Sequence, residues 1–249
     1  MTMIAAAKVE PTRYPELDAL RAIAVLAMVA YHLLFDLKYF YGFDVPIDSN
    51  SAIVFTRAVA SVFLLLVGIG FAISWNRTTP ARRFEKIVRR AALILGGAAA
   101  VSLVTWLLDP ATFIRFGILH LIGISALFQP LFARFSYWNI AVGICLVSVS
   151  KWLHIEWPPA SFTTLDFYPL FPWFGVILIG MGIADLFYIP KRHPALERIE
   201  HALFPNWPAR QSLGAGGLLW IGRRALLIYL LHQPIILATL SLLLILRQE

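Results

Sequence analysis

Three histidines lie within apolar stretches of this chain, where a titratable side chain is energetically expensive. They are His32, His120 and His232. Because ionisable residues inside a membrane span are costly, each is a candidate functional residue. A neutral imidazole accepts a proton near pH 7, so these residues suit a general base, a nucleophile or a proton relay.

Asp36 and Arg21 share the first apolar stretch with His32. Asp36 follows His32 by one helical turn on the same face, so the two side chains can pair, with the carboxylate fixing the imidazole tautomer. Arg21 lies ~16 Å from His32 along a helix, which is too far to share its chemistry. A histidine held by hydrogen bonds between helices is the alternative interpretation.

The composition indicates a polytopic membrane protein. Hydrophobic residues make up 59% of the 249 residues and charged residues only 14%, whereas soluble domains carry about 25% charged residues. Apolar length and periodicity predict an all-α bundle of about seven transmembrane helices. We place them roughly at 17–40, 53–75, 88–108, 114–135, 137–153, 167–189 and 218–246. Residues 1–16 are expected to form a cytoplasmic tail and 17–249 a single transmembrane domain.

The distribution of Lys and Arg predicts the orientation. The tail and alternate loops carry most of the basic residues, whereas the intervening loops are mainly acidic. Because cytoplasmic loops are enriched in Lys and Arg, we expect a cytoplasmic N-terminus and an external C-terminus. This asymmetry explains the net charge of +7 without a nucleic-acid partner.

The three histidines are expected at one depth. In the seven-helix arrangement His32 lies ~21 Å, His120 ~20 Å and His232 ~18 Å from the cytoplasmic edge of a ~30 Å hydrocarbon core. This predicts a shared polar cavity open to the outer face, and three separate interhelical hydrogen bonds are the alternative. We expect no metal, because no two of these histidines share a helix as zinc ligands often do. Further charged residues near the outer ends of spans would line the mouth of the cavity: Asp36, Arg57, Arg115 and Asp166.

Four segments, taken in order, resemble a known family. Arg21, ten further residues and His32 resemble the first-helix signature of the transmembrane acyltransferases. Residues 116–120 (Phe-Gly-Ile-Leu-His), 171–175 (Phe-Pro-Trp-Phe-Gly) and 229–234 (Tyr-Leu-Leu-His-Gln-Pro) are similar to segments of a narrower group. That group comprises the short bacterial relatives of the heparan-α-glucosaminide N-acetyltransferase catalytic domain. The resemblance extends over most of the chain, to Pro234.

The resemblance implies an acyltransferase that takes an acyl group, most often acetyl, from cytoplasmic acyl-CoA. The acceptor would be a sugar hydroxyl or amine of a glycan or glycolipid on the far side of a bacterial inner membrane. It implies that His32 is near the chemistry, with Asp36, His120 and His232 as the other catalytic candidates. A homo-oligomer is also allowed. A proton-coupled transporter and a non-catalytic membrane partner of an envelope complex are the alternatives.

The same resemblance implies that Arg21 lies near the CoA moiety. CoA phosphates require cationic partners, and further basic residues lie on the expected cytoplasmic side, although positive-inside topology alone also predicts them there. The candidate cofactor-binding residues are Arg77, Arg82, Arg83 and Lys86, and Arg89 and Arg90 belong to the same basic cluster.

Overall fold

The computed structural model describes residues 13–153, 163–189, 191–205 and 213–248. Within these ranges the chain forms nine α-helices and one 3-10 helix, with no strand. The prediction of an all-α polytopic bundle is therefore confirmed. The α-helices are α1 (Pro15–Tyr39), α2 (Asn50–Arg77), α3 (Pro80–Leu108), α4 (Ile118–Phe132), α5 (Asn139–Trp152), α6 (Leu170–Phe187), α7 (Pro194–Leu203), α8 (Leu213–Arg223) and α9 (Ala225–Gln248).

Six helical stretches of the described chain are long and apolar enough to cross a membrane, which makes this an integral multi-pass protein. One of them, Ile118–Trp152, contains both α4 and α5. A 3-10 segment (Ala133–Trp138) joins these two helices, and Ser136 within it has φ 51°, so the helix is broken there. The fourth and fifth predicted helices are therefore separate, as expected, but their connection is very tight.

The first three helices begin earlier than predicted. α1 starts at Pro15, inside the expected tail, because proline at the first helical position loses no hydrogen bond. Only Thr78 and Thr79 separate α2 from α3. Arg82, Arg83 and Lys86, which were expected in a loop, therefore lie in the first turns of α3, and Arg77 lies in the last turn of α2.

The C-terminal part differs more from the prediction. The last predicted helix is divided at Arg224 into α8 and α9. The segment 190–217 was expected to be a connection, but its described part contains the amphipathic helix α7. This helix starts with Pro194, and the N–H of Ala195 donates to Nδ1 of His193. α7 is shorter than the apolar runs that indicate membrane spans, so apolar length did not predict this helix.

The core lies where α6 crosses α2 and α5. A side chain on Gly68 would collide with the carbonyl of Ile177, and one on Gly180 would collide with that of Leu65. Small residues permit this close approach of membrane helices. Gly182 of α6 likewise contacts Ile140 of α5. α9 packs mainly against α1, and this pairing positions the candidate site.

The two ends of the bundle differ in charge. The start of α1, the end of α2, the start of α3, α7 and α8 meet at one end, which we call the basic end. Arg77 lies over the ring of Tyr14 there, and Arg192 contacts Glu16. The connections 40–49, 109–117 and 163–169 lie at the opposite end.

Candidate active site and basic cavity

α1 and α9 bring two of the predicted histidines together. The ring centroids of His32 and His232 are 4.8 Å apart, with an interplanar angle of 75°. Nδ1 of His32 is 2.9 Å from the carbonyl oxygen of Met28, and Nδ1 of His232 is 2.6 Å from that of Tyr229. Because a carbonyl only accepts hydrogen bonds, each Nδ1 carries the ring proton. Each neutral ring therefore retains a lone pair on Nε2, as a general base requires.

Asp36 joins α1 to α9 through Gln233 rather than through His32. Its side chain is fully buried, and Oδ1 accepts a hydrogen bond from Nε2 of Gln233 at 2.7 Å. The carbonyl of Met28 thus fixes the His32 tautomer, a role that we predicted for Asp36. Helical side chains lean toward the N-terminus of their helix, which directs the His32 ring back to Met28. Gln233 was missed by the sequence analysis, although it directly follows His232.

His120 makes different contacts, at the start of α4. Its Nδ1 accepts from the N–H of Gly117 at 3.2 Å, and its Nε2 is 3.4 Å from Oγ of Ser102. The Ser102 hydroxyl donates to the carbonyl of Ile114 at 2.5 Å, so Nε2 of His120 is the donor in the other contact. Both ring nitrogens are engaged, and the contacts described for His120 do not include the histidine pair. This arrangement suits positioning of α4 better than proton transfer.

Asp166 links the start of α4 to the surroundings of the pair. Its Oδ2 accepts from the N–H of Ile118 at 3.1 Å, and a side chain on Gly117 would collide with this carboxylate. Burial raises the pKa of Asp166 to about 6, although the Ile118 N–H and the nearby His32 favour the ionised form. His32 is therefore within electrostatic range of a carboxyl group that comes from a connecting segment.

A cavity of about 740 Å³ opens among α1, α2, α3, α4, α8 and α9 at the basic end. Its lining along α2 extends from Phe63 to Arg77, a distance of ~21 Å along the helix. Three of the five predicted cofactor-binding residues line it: Arg21, Arg77 and Lys86. Most of the remaining lining is apolar, so the cavity combines cations with an apolar wall.

Arg82 and Arg83 are not part of this lining. Arg82 is exposed, and the guanidinium of Arg83 lies 4.5 Å from the ring centroid of Trp75 while donating to the carbonyl of Thr78. Arg83 instead lines a much smaller neighbouring pocket with Trp75. The sequence thus indicated the correct basic segment but not which of its residues line the cavity.

Arg90, which belongs to the basic cluster predicted to face the CoA phosphates, also lines the cavity. It is half-buried, and none of the ion pairs among the described residues involves it. A guanidinium against an apolar wall is favourably placed only when an anion joins it. Lys86, Arg90 and Ile94 recur every four residues on one face of α3, and all three line the cavity.

Arg21 is held in place by an acidic residue of its own helix. Nη1 of Arg21 is 2.9 Å from Oδ1 of Asp18, and Oδ2 of Asp18 is 3.4 Å from Nε of Arg223. All three residues line the cavity. The buried Asp18 therefore fixes two arginines, of α1 and α8, beside the cavity.

The cavity lies on the basic-end side of the histidine pair, and its lining includes neither His32 nor His232. Leu226, in the first turn of α9, lines the cavity, and His232 follows it at ~9 Å along the helix. Tyr229 stands one turn before His232 and contacts its ring, with centroids 5.7 Å apart. The cations and the imidazoles are thus arranged in sequence from the basic end toward the opposite end.

The fold and this site define a multi-pass membrane protein of the acyltransferase-like class. The chain belongs to the family described as heparan-alpha-glucosaminide N-acetyltransferase, catalytic, whose model matches residues 13–234. This match confirms the resemblance seen in the sequence and includes every residue of the site. No similar curated protein and no similar solved structure was found.

Proposed function

We propose that this protein transfers an acyl group, in the first instance acetyl, from acyl-CoA to a sugar hydroxyl or amine. The family supports transferase activity. The observation that carries the proposal is the cation-lined cavity on the basic-end side of the His32–His232 pair, which α9 separates from the lining residue Leu226 by ~9 Å along the helix. A donor with several phosphates and a long uncharged arm matches such a cavity.

The phosphates of acyl-CoA bind the cations of the cavity. Guanidinium groups recognise phosphate through paired N–H donors, which suits Arg77 and Arg90, and Lys86 adds a point charge. The unpaired state of Arg90 among the described residues supports this assignment. The apolar residues that line the cavity farthest from Arg77 along α2, Phe63 and Leu66, contact the uncharged arm. The thioester then points toward the histidine pair.

His32 acts as the general base. Its Nε2 takes the proton from the acceptor hydroxyl or amine while the acceptor oxygen or nitrogen attacks the thioester carbonyl. The C–S bond breaks, and the proton passes to the departing thiolate of CoA. His232 provides a second basic nitrogen beside the reaction, and the Asp36–Gln233 hydrogen bond keeps α9 against α1. His120 positions the start of α4.

The basic end faces the cytoplasm, where acyl-CoA is available, and the opposite end faces outward in a bacterial inner membrane. The concentration of Arg and Lys at the basic end supports this orientation. The acceptor, a glycan or glycolipid, reaches the pair from the outer side.

Purified protein in lipid nanodiscs, with acetyl-CoA as donor, tests the proposal. Binding is measured by equilibrium dialysis, and glucosamine and glucose serve as amine and hydroxyl acceptor probes, with products detected by mass spectrometry. We expect saturable binding and an acetylated sugar. Binding without any acetylated product would favour the non-catalytic partner. Absence of binding would reject the acyltransferase and leave the transporter, in which His32, His232 and Asp36 relay protons.

A further inference from the structure

Three buried acceptor atoms without a partner among the described residues lie in the contact between α1 and α9. They are Oδ2 of Asp36, Oε1 of Gln233 and Nε2 of His232. The first two are oxygens that accept, and Nε2 has a lone pair because Nδ1 of the same ring donates to the carbonyl of Tyr229. Asp36 is 0% exposed and His232 8% exposed.

The residues that carry these atoms are neighbours. Asp36 and Gln233 are joined through their other polar atoms at 2.7 Å, and His232 directly precedes Gln233 on α9. His232 also contacts His32, one turn before Asp36 on α1. The residues that carry the three acceptors therefore lie within about one helical turn, ~5.4 Å, of one another along the helix axes. We call the three atoms the acceptor triplet.

A site with three hydrogen-bond acceptors favours a small ligand that donates hydrogen bonds. Buried polar atoms in folded proteins are nearly always hydrogen-bonded. A water molecule has two donor hydrogens, makes about three hydrogen bonds in buried sites, and fits between packed helices. One of the three acceptors is a neutral imidazole nitrogen, which can take a proton from that water.

We propose that the acceptor triplet binds a reactive water, and that the protein has a second activity, hydrolysis of acyl-CoA. The inference rests on the proposed function, because the thioester must reach the histidine pair. The water oxygen attacks the thioester carbonyl while one of its protons passes to Nε2 of His232. The C–S bond then breaks, and that proton moves to the departing thiolate. The products are the carboxylic acid, which ionises, and the CoA thiol.

Asp36 and Gln233 orient the water in this step. Its second O–H is shared between Oδ2 of Asp36 and Oε1 of Gln233, which turns an oxygen lone pair away from α9. No oxidant, reductant or additional reactant is required. When no sugar acceptor is present, water takes its place.

The experiment uses the full chain carrying Cys145→Ser in nanodiscs, because this substitution removes the only cysteine and its thiol background. Acetyl-CoA is supplied in ¹⁸O-labelled water without an acceptor, and nanodiscs without protein give the spontaneous rate. The inference predicts equal amounts of CoA thiol and ¹⁸O-labelled acetate above that rate. Acetyl-CoA binding, measured on the same sample, without labelled acetate would overturn the inference and leave the proposed function intact. Absence of both binding and acetate would overturn both.

Matched variants locate the activity. Gln233→Leu removes one member of the triplet and should lower hydrolysis about tenfold, the effect of one lost hydrogen bond, with acetyl-CoA binding unchanged. Gln129→Leu is the control, because Gln129 is a buried amide of α4 with an unpartnered Nε2 away from α9. It should hydrolyse at the parental rate. An unchanged rate in Gln233→Leu, or equal losses in both variants, would overturn the inference.

Gln233→Asn provides a second variant if Gln233→Leu does not fold. It keeps the amide but withdraws the oxygen by one methylene, so hydrolysis should fall by a smaller factor than tenfold. Parental hydrolysis in this variant would count against the triplet.

Discussion

His32 and His232 hold their imidazole rings 4.8 Å apart, although they belong to the first and last helices of the described chain. In each ring a backbone carbonyl from the preceding turn holds the proton on Nδ1. When both rings are neutral, the pair therefore presents the lone pairs of two Nε2 atoms in the membrane interior. A pair of histidines with only a structural role does not require two basic nitrogens, whereas proton transfer during acyl transfer can use both.

The cations of the cavity are expected to control donor binding more than turnover. Arg90→Met should raise KM for acetyl-CoA at least about tenfold with little change in kcat, because it removes a charge-assisted contact to the donor. Arg21→Ala should act in the same direction. Arg82→Ala is the control, since Arg82 is exposed outside the lining. Steady-state kinetics in nanodiscs measures all three, and equal KM values for Arg90→Met and Arg82→Ala would argue against the assignment of the cavity.

Arg192 is expected to be essential for the attachment of α7. Its Nη2 is 2.6 Å from Oε1 of Glu16, and its Nη1 contacts Glu200. Arg192→Ala leaves two largely buried carboxylates unpaired, which should destabilise the protein by ~3 kcal/mol. Thermal unfolding in detergent measures the loss, with the exposed Lys191→Ala as control. Equal midpoints for the two variants would show that the ion pairs contribute little.

Asp166 should make stability depend on pH. Burial raises its pKa from 3.8 to about 6, so its stabilising contribution is complete below pH 3.8 and is lost as the pH rises through 6. The thermal midpoint should therefore fall across this window, and the fall should be smaller in Asp166→Asn.

Asp109 provides an opposite control at the same end of the bundle. Hydrogen bonds from the Thr112 hydroxyl and the Ala111 N–H lower the pKa of Asp109. Its contribution is therefore present above pH 3.8 and lost as the pH falls, so Asp109→Asn should not reduce the decline between pH 4 and 6. An identical pH profile for the parent and Asp166→Asn would contradict the assignment to Asp166.

The proposed orientation predicts the accessibility of two exposed positions. In a Cys145→Ser background, Thr79→Cys lies between α2 and α3, and Ala111→Cys follows α3. An impermeant maleimide should label Ala111→Cys in intact cells, and Thr79→Cys only after permeabilisation. The reverse labelling pattern would place the basic end outside, away from cytoplasmic acyl-CoA, and would contradict the proposed orientation.

The sequence predicted the helical bundle because apolar length is a strong signal for membrane spans. The rise per residue also predicted one depth and one shared cavity for His32, His120 and His232. The structure joins His32 to His232, whereas the contacts described for His120 are with Gly117 and Ser102. Depth does not determine rotation about the helix axis. α1 and α9 are apolar on most sides, so the pattern does not specify which face meets a neighbour. The Asp36–Gln233 contact and the separate partners of His120 therefore required the structure.

The basic segment shows the same limit. Charge asymmetry predicted its side of the membrane. Periodicity does not separate Arg82 from Lys86 and Arg90, because the three recur every four residues on one face of α3. Arg82 lies in the first turn of the helix, outside the cavity lining, and only the structure shows this. α7 was missed because it is shorter than an apolar membrane span, and the contact that attaches it to α1, between Arg192 and Glu16, joins residues distant in sequence.

The most direct test of the account is the acetyl-transfer rate of His32→Ala, measured as acetylated sugar, together with its affinity for acetyl-CoA. His201→Ala, at an exposed position of α7, is the control. Because a general base typically contributes ~10²–10⁴-fold, we expect His32→Ala to lose at least about a hundredfold in product formation while binding acetyl-CoA as the parent does. Near-parental product formation by His32→Ala would contradict the account and assign this histidine a structural role.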